Sequence, residues 1–246
     1  MCRSIPRNRI GRFCRLLPEA VLTTYEAPAG EQRADFPKSS QKETLLELLD
    51  WADVICMGCG LGQSDVSKEL VRTVLTYNTK PCVIDADGLN ILAGLGEEER
   101  AGYSFMADRY VLTPHMKEMS RLSACPVEEI RACRAKMLRE FVQKEQVVCA
   151  LKDSRTLTAA PGRALCLNLT GNAAMAKGGA GDVLSGVITG LLAQKLPTYE
   201  AAALGVYLHG LAGDAVRKEK GAYSVLAGDI AEALSEILRT LEEEKR

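Results

Sequence analysis

The segment of this sequence best suited to chemistry is a glycine-rich turn that directly precedes an apolar helix. It reads GGAGD over residues 178–182, and apolar residues then recur at helical spacing up to Leu192. Such a turn presents free backbone N–H groups and the positive end of the helix dipole, which suits a phosphate group. Asp182 would serve any helix as an N-cap, but three glycines in four positions exceed what capping requires. We therefore predict Asp182 as a general base beside an anion hole formed by Gly178, Gly179, Ala180 and Gly181.

Further polar residues and glycines follow short apolar runs elsewhere in the chain. Runs at 53–57, 81–84, 110–112 and 147–151 lack a period of two, which is typical of parallel strands covered on both faces. In open α/β sheets, ligands bind beyond the carboxyl ends of the strands. We therefore expect a single cleft lined by Gly60, Gly62, Asp85, Asp87, His115, Lys152 and Asp153.

The segments between these runs supply the helices that must position the cleft. Helical patterns occupy 41–50, 64–78, 126–144 and 199–217, and residues 156–168 read as a hairpin with a tight turn. Alternation of strands and helices with one later hairpin predicts an α/β fold. We expect a mostly parallel central sheet flanked by helices, with a small antiparallel addition.

Composition excludes several classes of protein. The chain has 246 residues, of which 47% are hydrophobic and 26% charged, so disordered and fibrous classes are excluded. A net charge of -1 and an aromatic content of 5% argue against a nucleic-acid partner. Apolar runs stay well short of the ~20 residues that span a bilayer, so we expect no membrane partner.

The nine cysteines predict reduced thiols and a cytoplasmic location, because their number is odd and no signal peptide precedes them. Cys56 and Cys59 form a CxxC pair, but no second pair follows at the spacing of a zinc ribbon. Cys56 lies within the apolar run 54–57, which favours a small buried side chain. No metal ligand is assigned, although Asp85 and Asp87 are open to two roles, as magnesium ligands or as helix caps.

Four blocks occur in an order that resembles one enzyme family. They are 58–62 (GCGLG), 84–90 (IDADGLN), 112–115 (LTPH) with Glu118, and 170–184. The GGAGD segment resembles a signature of the ribokinase-like superfamily. Together the blocks resemble the ADP/ATP-dependent NAD(P)H-hydrate dehydratases, which are repair lyases, over roughly residues 16 to 236.

The resemblance implies a role for each candidate residue. Gly62, His115 and Asp182 match positions that contact the hydrated nicotinamide, and Gly181 matches a nucleotide-binding glycine. The family's nucleotide loop matches Lys152, Asp153, Ser154, Arg155 and Thr156, with Asp153 in place of the usual glycine. We interpret His209 as a structural histidine on an apolar helix face.

The resemblance also implies a reaction and its participants. ADP or ATP phosphorylates the C6 hydroxyl of hydrated NADH or NADPH, and loss of phosphate restores the nicotinamide double bond. Mg²⁺ would accompany the nucleotide, and Asp182 would accept the hydroxyl proton. A homo-oligomer and a functional link to an NAD(P)HX epimerase are further expectations.

The N-terminus departs from the family pattern. The family usually begins with a glycine-rich strand and a helix, whereas residues 1–15 here form an arginine-rich segment that we expect to be a poorly ordered tail. We therefore predict a single catalytic domain over 16–246 that lacks the N-terminal strand–helix unit, one sheet edge and part of the substrate wall.

Two alternatives to the dehydratase remain. One is another ribokinase-like kinase, acting on a thiazole or pyrimidine alcohol, which the blocks at 113–115 and 170–172 disfavour. The other is a truncated relic that binds a nucleotide without catalysis.

Overall fold

A six-stranded sheet forms the centre of the protein. The computed structural model describes residues 2–6, 21–25 and 39–243. The strands, in the order in which they pair, are β3 (Ile55–Met57), β4 (Cys82–Ile84), β5 (Tyr110–Leu112), β6 (Val148–Leu151), β7 (Leu157–Ala159) and β8 (Cys166–Leu167). Strands β3 to β6 are parallel, whereas β7 is antiparallel to both β6 and β8. The predicted mostly parallel sheet with an antiparallel hairpin is confirmed.

Helices connect and cover these strands. They are α1 (Ser39–Trp51), α2 (Asp65–Tyr77), α3 (Ala86–Gly94), α4 (Glu97–Ala101), α5 (Met116–Ser123), α6 (Val127–Ala132), α7 (Arg134–Glu145), α8 (Ala180–Ala193), α9 (Thr198–Lys220) and α10 (Ala227–Glu243). The helix predicted at 126–144 is two helices, α6 and α7. They meet at Cys133, whose φ of -133° and ψ of 35° lie outside the α region.

Both faces of β4, β5 and β6 are buried, which explains why these strands lack a period of two. In β4, Cys82 and Ile84 belong to one hydrophobic cluster, whereas Val83 belongs to the cluster on the opposite face. Val111 of β5 shares the second cluster with Ile188 of α8. Apolar side chains are therefore favoured at every position of these strands. Among the described helices, none has the length and apolar character needed to cross a bilayer.

The N-terminal segment differs in part from the expected tail. Strand β1 (Cys2–Pro6) pairs in parallel with β2 (Val21–Tyr25), as a two-stranded sheet apart from the larger one. A strand of only five residues is too short to show a clear hydrophobic period. The sequence pattern therefore did not predict β1. Residues 7–15 lie outside the described residues. The division into 1–15 and 16–246 stays a prediction.

Candidate active site

The loops that follow β3, β4, β5 and β6 meet at the carboxyl ends of these parallel strands. The Asp85 amide donates to the Met57 carbonyl at 3.1 Å, which joins the ends of β3 and β4. Lys152 pairs with His115 in an isolated parallel bridge, and its amide donates to the Pro114 carbonyl at 2.8 Å. The polar residues that follow separate strands are thereby brought to one edge of the sheet, as their order in the sequence predicts.

The loop after β3 requires glycine at its first position. Gly58 has a φ of +115°, and a Cβ there would lie 1.9 Å from the Asp85 carbonyl oxygen. The other end of this loop is held by a side chain, because the Gly62 amide donates to Asp87 Oδ2 at 2.8 Å. Asp87 thus holds this loop, which is neither of the two roles considered for it, whereas Asp85 is the N-cap of α3.

Asp85 is a buried carboxylate with three hydrogen-bond donors. Its Oδ1 accepts from Lys152 Nζ at 2.7 Å and from the Ala86 amide at 2.8 Å. Its Oδ2 accepts from Ser185 Oγ at 2.6 Å. Because only 1% of the Asp85 side chain is exposed, these donors replace the water that a free carboxylate would require. Asp85 therefore ties the end of β4 to the ammonium of Lys152 and to helix α8.

The ammonium of Lys152 lies against the first turn of α8. A Cβ on Gly181 would lie 3.2 Å from Lys152 Nζ. The Ala180 amide of the predicted anion hole already donates to the Lys177 carbonyl at 3.3 Å. Within the described part of the chain, no acceptor is found for the remaining backbone N–H groups of the predicted hole, those of Gly178, Gly179 and Gly181. A positive charge thus lies beside the first turn of α8, in a turn whose remaining amides have no acceptor within the described residues.

Asp182 lies in the same helical turn as Gly181. It is exposed, and among the described residues it accepts no hydrogen bond and forms no ion pair. Its carboxylate approaches Asp85 and the thiol of Cys59, and one ligand atom from each lies within 4.8 Å of the others. The Cys56 thiol, partial burial, and the negative charges of Asp85 and Asp182 raise the pKa of Cys59. Asp182 is therefore accessible to a ligand, and a second carboxylate lies beside it.

The structure corrects the prediction for Cys56, whose side chain is exposed rather than buried. Strand β3 lies at the edge of the six-stranded sheet. Ile55 and Met57 pack on the hydrophobic cluster of one face, so the intervening Cys56 points to the other side. There it contacts the thiol of Cys59. Among the seven cysteines whose side chains are described, no disulfide is formed.

His115 caps helix α5 at the edge of the site. Its Nδ1 accepts from the amides of Lys117 and Glu118, each at 3.1 Å, and Glu118 Oε2 accepts from the His115 amide at 2.8 Å. This capping box leaves half of the imidazole exposed. Glu118 is nearly buried, and burial raises the pKa of its carboxyl group. Contact of His115 with a substrate remains a prediction.

The predicted nucleotide loop 152–156 connects β6 to β7. Its first two residues contact different parts of the chain. Lys152 points toward Asp85, whereas Asp153 pairs with Arg134 of α7 at 2.8 Å. The same guanidinium donates to the Arg155 carbonyl at 3.3 Å. The replacement of glycine by Asp153 therefore anchors this loop to α7. Asp153, Ser154 and Arg155 are exposed, and nucleotide contacts here stay a prediction.

Helix α9 supports the segment before the glycine-rich turn. Asp214 Oδ2 accepts from the Gly171 amide, and its Oδ1 accepts from Asn172 Nδ2, each at 2.8 Å. Sequence reasoning missed this pairing, although the GN pair at 171–172 and the GD pair at 213–214 were its available signal. His209, also on α9, is largely buried, and burial lowers its pKa to about 4. This agrees with the interpretation of His209 as a structural histidine.

Comparison with known proteins identifies the family. The sequence model of the NAD(P)H-hydrate dehydratase family matches residues 18–236. The bifunctional NAD(P)H-hydrate repair enzyme Nnr of Moorella thermoacetica is 39% identical over 242 residues, which are 98% of this chain and 44% of that protein. The ADP-dependent (S)-NAD(P)H-hydrate dehydratase of Neisseria meningitidis is 39% identical over 72% of this chain and 60% of its own length. The chain thus spans about half the length of these curated relatives.

Solved structures agree on the fold. A ribokinase-like superfamily protein from Enterococcus faecalis superposes with a TM-score of 0.81 at 28% identity, over 97% of this chain and 76% of its own. The ADP/ATP-dependent NAD(P)H-hydrate dehydratase of Bacillus subtilis, co-crystallized with ATP/Mg²⁺ and soaked with CoA, gives a TM-score of 0.73 at 28% identity. That match covers 96% of this chain and 78% of the Bacillus chain. The fold is ribokinase-like, and the chain belongs to the NAD(P)H-hydrate dehydratase family.

Proposed function

We propose that this chain returns the hydrated forms (S)-NADHX and (S)-NADPHX to NADH and NADPH, with ADP or ATP as phosphoryl donor. The observation that carries the proposal is the arrangement at the start of α8. There the open carboxylate of Asp182 adjoins unpaired backbone amides and the ammonium of Lys152. A proton acceptor thus lies beside groups that stabilise the charge of a transferring phosphoryl group. Membership of the dehydratase family supports the choice of substrate.

In the proposed reaction, Asp182 accepts the proton of the C6 hydroxyl as its oxygen attacks the terminal phosphorus of the nucleotide. The bond between that phosphorus and the nucleotide oxygen breaks, and the amides of Gly178, Gly179 and Gly181 stabilise the developing charge together with Lys152. Phosphate then leaves C6, a proton leaves C5, and the nicotinamide double bond forms again. Asp85 positions Lys152 for this step through their 2.7 Å ion pair.

In this proposal the substrate and the nucleotide contact different loops near Asp182. Gly62 and His115 lie at the ends of β3 and β5, where we propose that they contact the hydrated nicotinamide. Loop 152–156 would hold the adenine nucleotide, because its first residue already faces the start of α8.

The residues at this turn also fit Mg²⁺. The carboxylates of Asp85 and Asp182 approach within 4.8 Å, and Mg²⁺ is typically held by one or two carboxylates together with phosphate oxygens. We propose that these two residues hold it. When bound, Mg²⁺ would neutralise charge on the nucleotide phosphates.

The first experiment measures turnover of hydrated NADH by the full chain with Mg²⁺ and either ADP or ATP, followed by the absorbance of reduced nicotinamide. We expect activity with one of the nucleotides, and we expect Asp182→Asn to lower kcat by about 100-fold or more, since a general base contributes at least that factor. Binding of ADP should survive the substitution. Asp53→Asn is the matched control, because Asp53 is exposed and pairs with Lys195, just beyond the C-terminal end of α8.

Absence of turnover in the unmodified chain, with ADP still bound, would overturn the proposal and leave a nucleotide-binding relic. Turnover of a thiazole or pyrimidine alcohol in place of the hydrate would instead identify a small-molecule kinase. A homo-oligomer and a functional link to an epimerase of the hydrate are further proposals. Light scattering of the purified chain tests the first of them.

A further inference from the structure

Three potential metal ligands of different chemistry converge beside the start of α8. We propose that Cys59, Asp85 and Asp182 form a binding site for a soft divalent cation of the zinc and cadmium class. The Sγ of Cys59 and one carboxylate oxygen from each aspartate lie within 4.8 Å of one another. Cys59 and Asp85 follow two different strands and Asp182 lies in the first turn of α8, so the tertiary structure alone brings them together.

The dimensions of this cluster suit a tetrahedral ion. The three ligand atoms lie no more than 4.8 Å apart. A tetrahedral ion with zinc–sulfur and zinc–oxygen bonds of about 2.0–2.3 Å holds its ligand atoms about 3.3–3.8 Å apart. A contraction of at most about 1.5 Å in each separation would therefore complete three bonds, and the fourth position would be left to solvent.

Each of the three ligands has a lone pair available. Asp182 is exposed and unpaired within the described ranges, and the thiol of Cys59 is exposed. Asp85 is more constrained, because its Oδ1 accepts from Lys152 and from the Ala86 amide. Its Oδ2 accepts from Ser185 and faces the first turn of α8, 3.7 Å from where a Gly181 Cβ would stand. A carboxylate oxygen has two lone pairs, so Oδ2 retains one for a metal.

The charges of the cluster balance when such a cation binds. Asp85 and Asp182 contribute two negative charges, and Lys152 contributes one positive charge. When the cation binds, the S–H bond of Cys59 breaks, an Sγ–metal bond forms, and the proton passes to the solvent. The thiolate adds a third negative charge, so one divalent cation makes the whole group neutral.

Cys59 determines which cations this site prefers. Thiolate is a soft ligand that favours zinc and its heavier relatives, whereas Mg²⁺ requires oxygen ligands. Because Asp85 and Asp182 are also the residues proposed to hold Mg²⁺, the two cations compete for one site, and Cys59 gives the soft cation the advantage when no nucleotide is bound. The proposed preference does not depend on catalysis, since metal binding is measured without nucleotide or substrate.

The test is a titration of the chelator-washed full chain with Cd²⁺, followed by the ultraviolet charge-transfer absorbance of the cadmium–thiolate bond. We expect one equivalent to bind with this signal. Cys59→Ser should abolish the signal and weaken binding about tenfold or more, and Asp182→Asn should weaken binding while the signal remains. Cys133→Ser, at another exposed cysteine, is the matched control. Circular dichroism and the Tm of each variant establish that it is folded.

Three results would overturn the inference. The first is an unchanged signal and affinity in Cys59→Ser. The second is loss of the signal in Cys56→Ser alone, which would assign the thiolate to the neighbouring cysteine. The third is displacement of Cd²⁺ by an equal concentration of Mg²⁺, which would show that the thiolate does not hold the ion. Dehydratase activity does not bear on this inference, because the test measures metal binding alone.

Discussion

At the scale of single residues, Asp85 connects parts of the chain that lie far apart in sequence. It follows β4 directly, yet it pairs with Lys152 after β6 and with Ser185 in the second turn of α8. A buried carboxylate is costly without partners, and here an ammonium, a hydroxyl and a backbone amide supply them. The same ion pair holds the Lys152 ammonium beside Gly181, so one residue supports both the fold and the candidate site.

His209 predicts a pH dependence of stability. Burial lowers its pKa to about 4, against 6.5 for an ordinary histidine. Above pH 6.5 the ring is neutral in both the folded and the unfolded chain. As the pH is lowered from 6.5 to 4, the unfolded chain takes up a proton that the folded chain does not. The free energy of unfolding therefore decreases as the pH is lowered, by up to about 3 kcal/mol in total. Below pH 4 both states are protonated, and this contribution changes no further.

Urea unfolding of the unmodified chain and of His209→Gln between pH 7 and 4.5 measures this contribution. Other groups, including Glu118, titrate in both proteins, so the difference between the two curves isolates His209. The chain contains two histidines, and proton NMR of their rings therefore gives an independent reading of the pKa. Parallel stability curves, or a His209 imidazole whose pKa is near 6.5, would contradict the expectation.

At the scale of elements, the start of α5 shows how a local motif places a candidate site residue. His115 is the N-cap of this helix, and its Nδ1 accepts two amide protons. The preceding proline and the strand β5 fix the direction of the chain before the cap. Since the cap uses Nδ1, the proton of the neutral ring is on Nε2, which lies 3.4 Å from Glu118 Oε1.

Two substitutions at His115 separate capping from substrate contact. His115→Ala should lower the free energy of unfolding by about 1 kcal/mol, because two amides lose their acceptor. His115→Asn should retain most of that stability, since asparagine caps helices well. If the imidazole contacts the hydrated nicotinamide, both variants should raise KM. An Asn variant with unchanged KM would remove His115 from the substrate site, and an Ala variant of unchanged stability would refute the cap.

At the scale of the whole molecule, α8 and α9 pack together over one face of the sheet. Ile188 of α8 is fully buried in the cluster that also contains Val83 and Val111 of the sheet. Gly205 of α9 packs directly on Ile188, and a Cβ at this glycine would lie 2.7 Å from Ile188 Cγ1. The absence of a side chain at Gly205 therefore sets how closely the two helices approach.

Gly205→Ala should destabilise the chain by about 1 kcal/mol, because overpacking exceeds the gain in helix propensity. Ile188→Ala alone should cost about 2–5 kcal/mol. The double variant should cost less than the sum of the two, since the new methyl group enters the space that the isoleucine leaves. Gly190→Ala on α8 is the control, because nothing lies within 4 Å of its Cβ position. If urea unfolding shows that the stability losses of the two single variants simply add in the double variant, the contact between Gly205 and Ile188 is contradicted.

The sequence by itself determined the elements and the identity of the candidate residues. Continuous apolar runs predicted β4, β5 and β6 because both faces of the sheet are covered, and the hairpin of β7 and β8 followed from its turn residues. The glycine-rich turn before α8 was visible from its composition, and Gly179, with a φ of +88°, has a conformation that favours glycine. The order of the polar residues after the strands predicted their common edge, and four blocks together identified the family.

Only the tertiary structure decided which side chains touch. Asp85 is 67 residues from Lys152 and 100 residues from Ser185, and no local pattern encodes contacts at such separations. The exposure of Cys56 followed from the position of β3 at the edge of the sheet, which composition does not reveal. The approach of Cys59 to Asp182 arose in the same way. Propensity and periodicity act between near neighbours, whereas a site is assembled by the packing of distant segments.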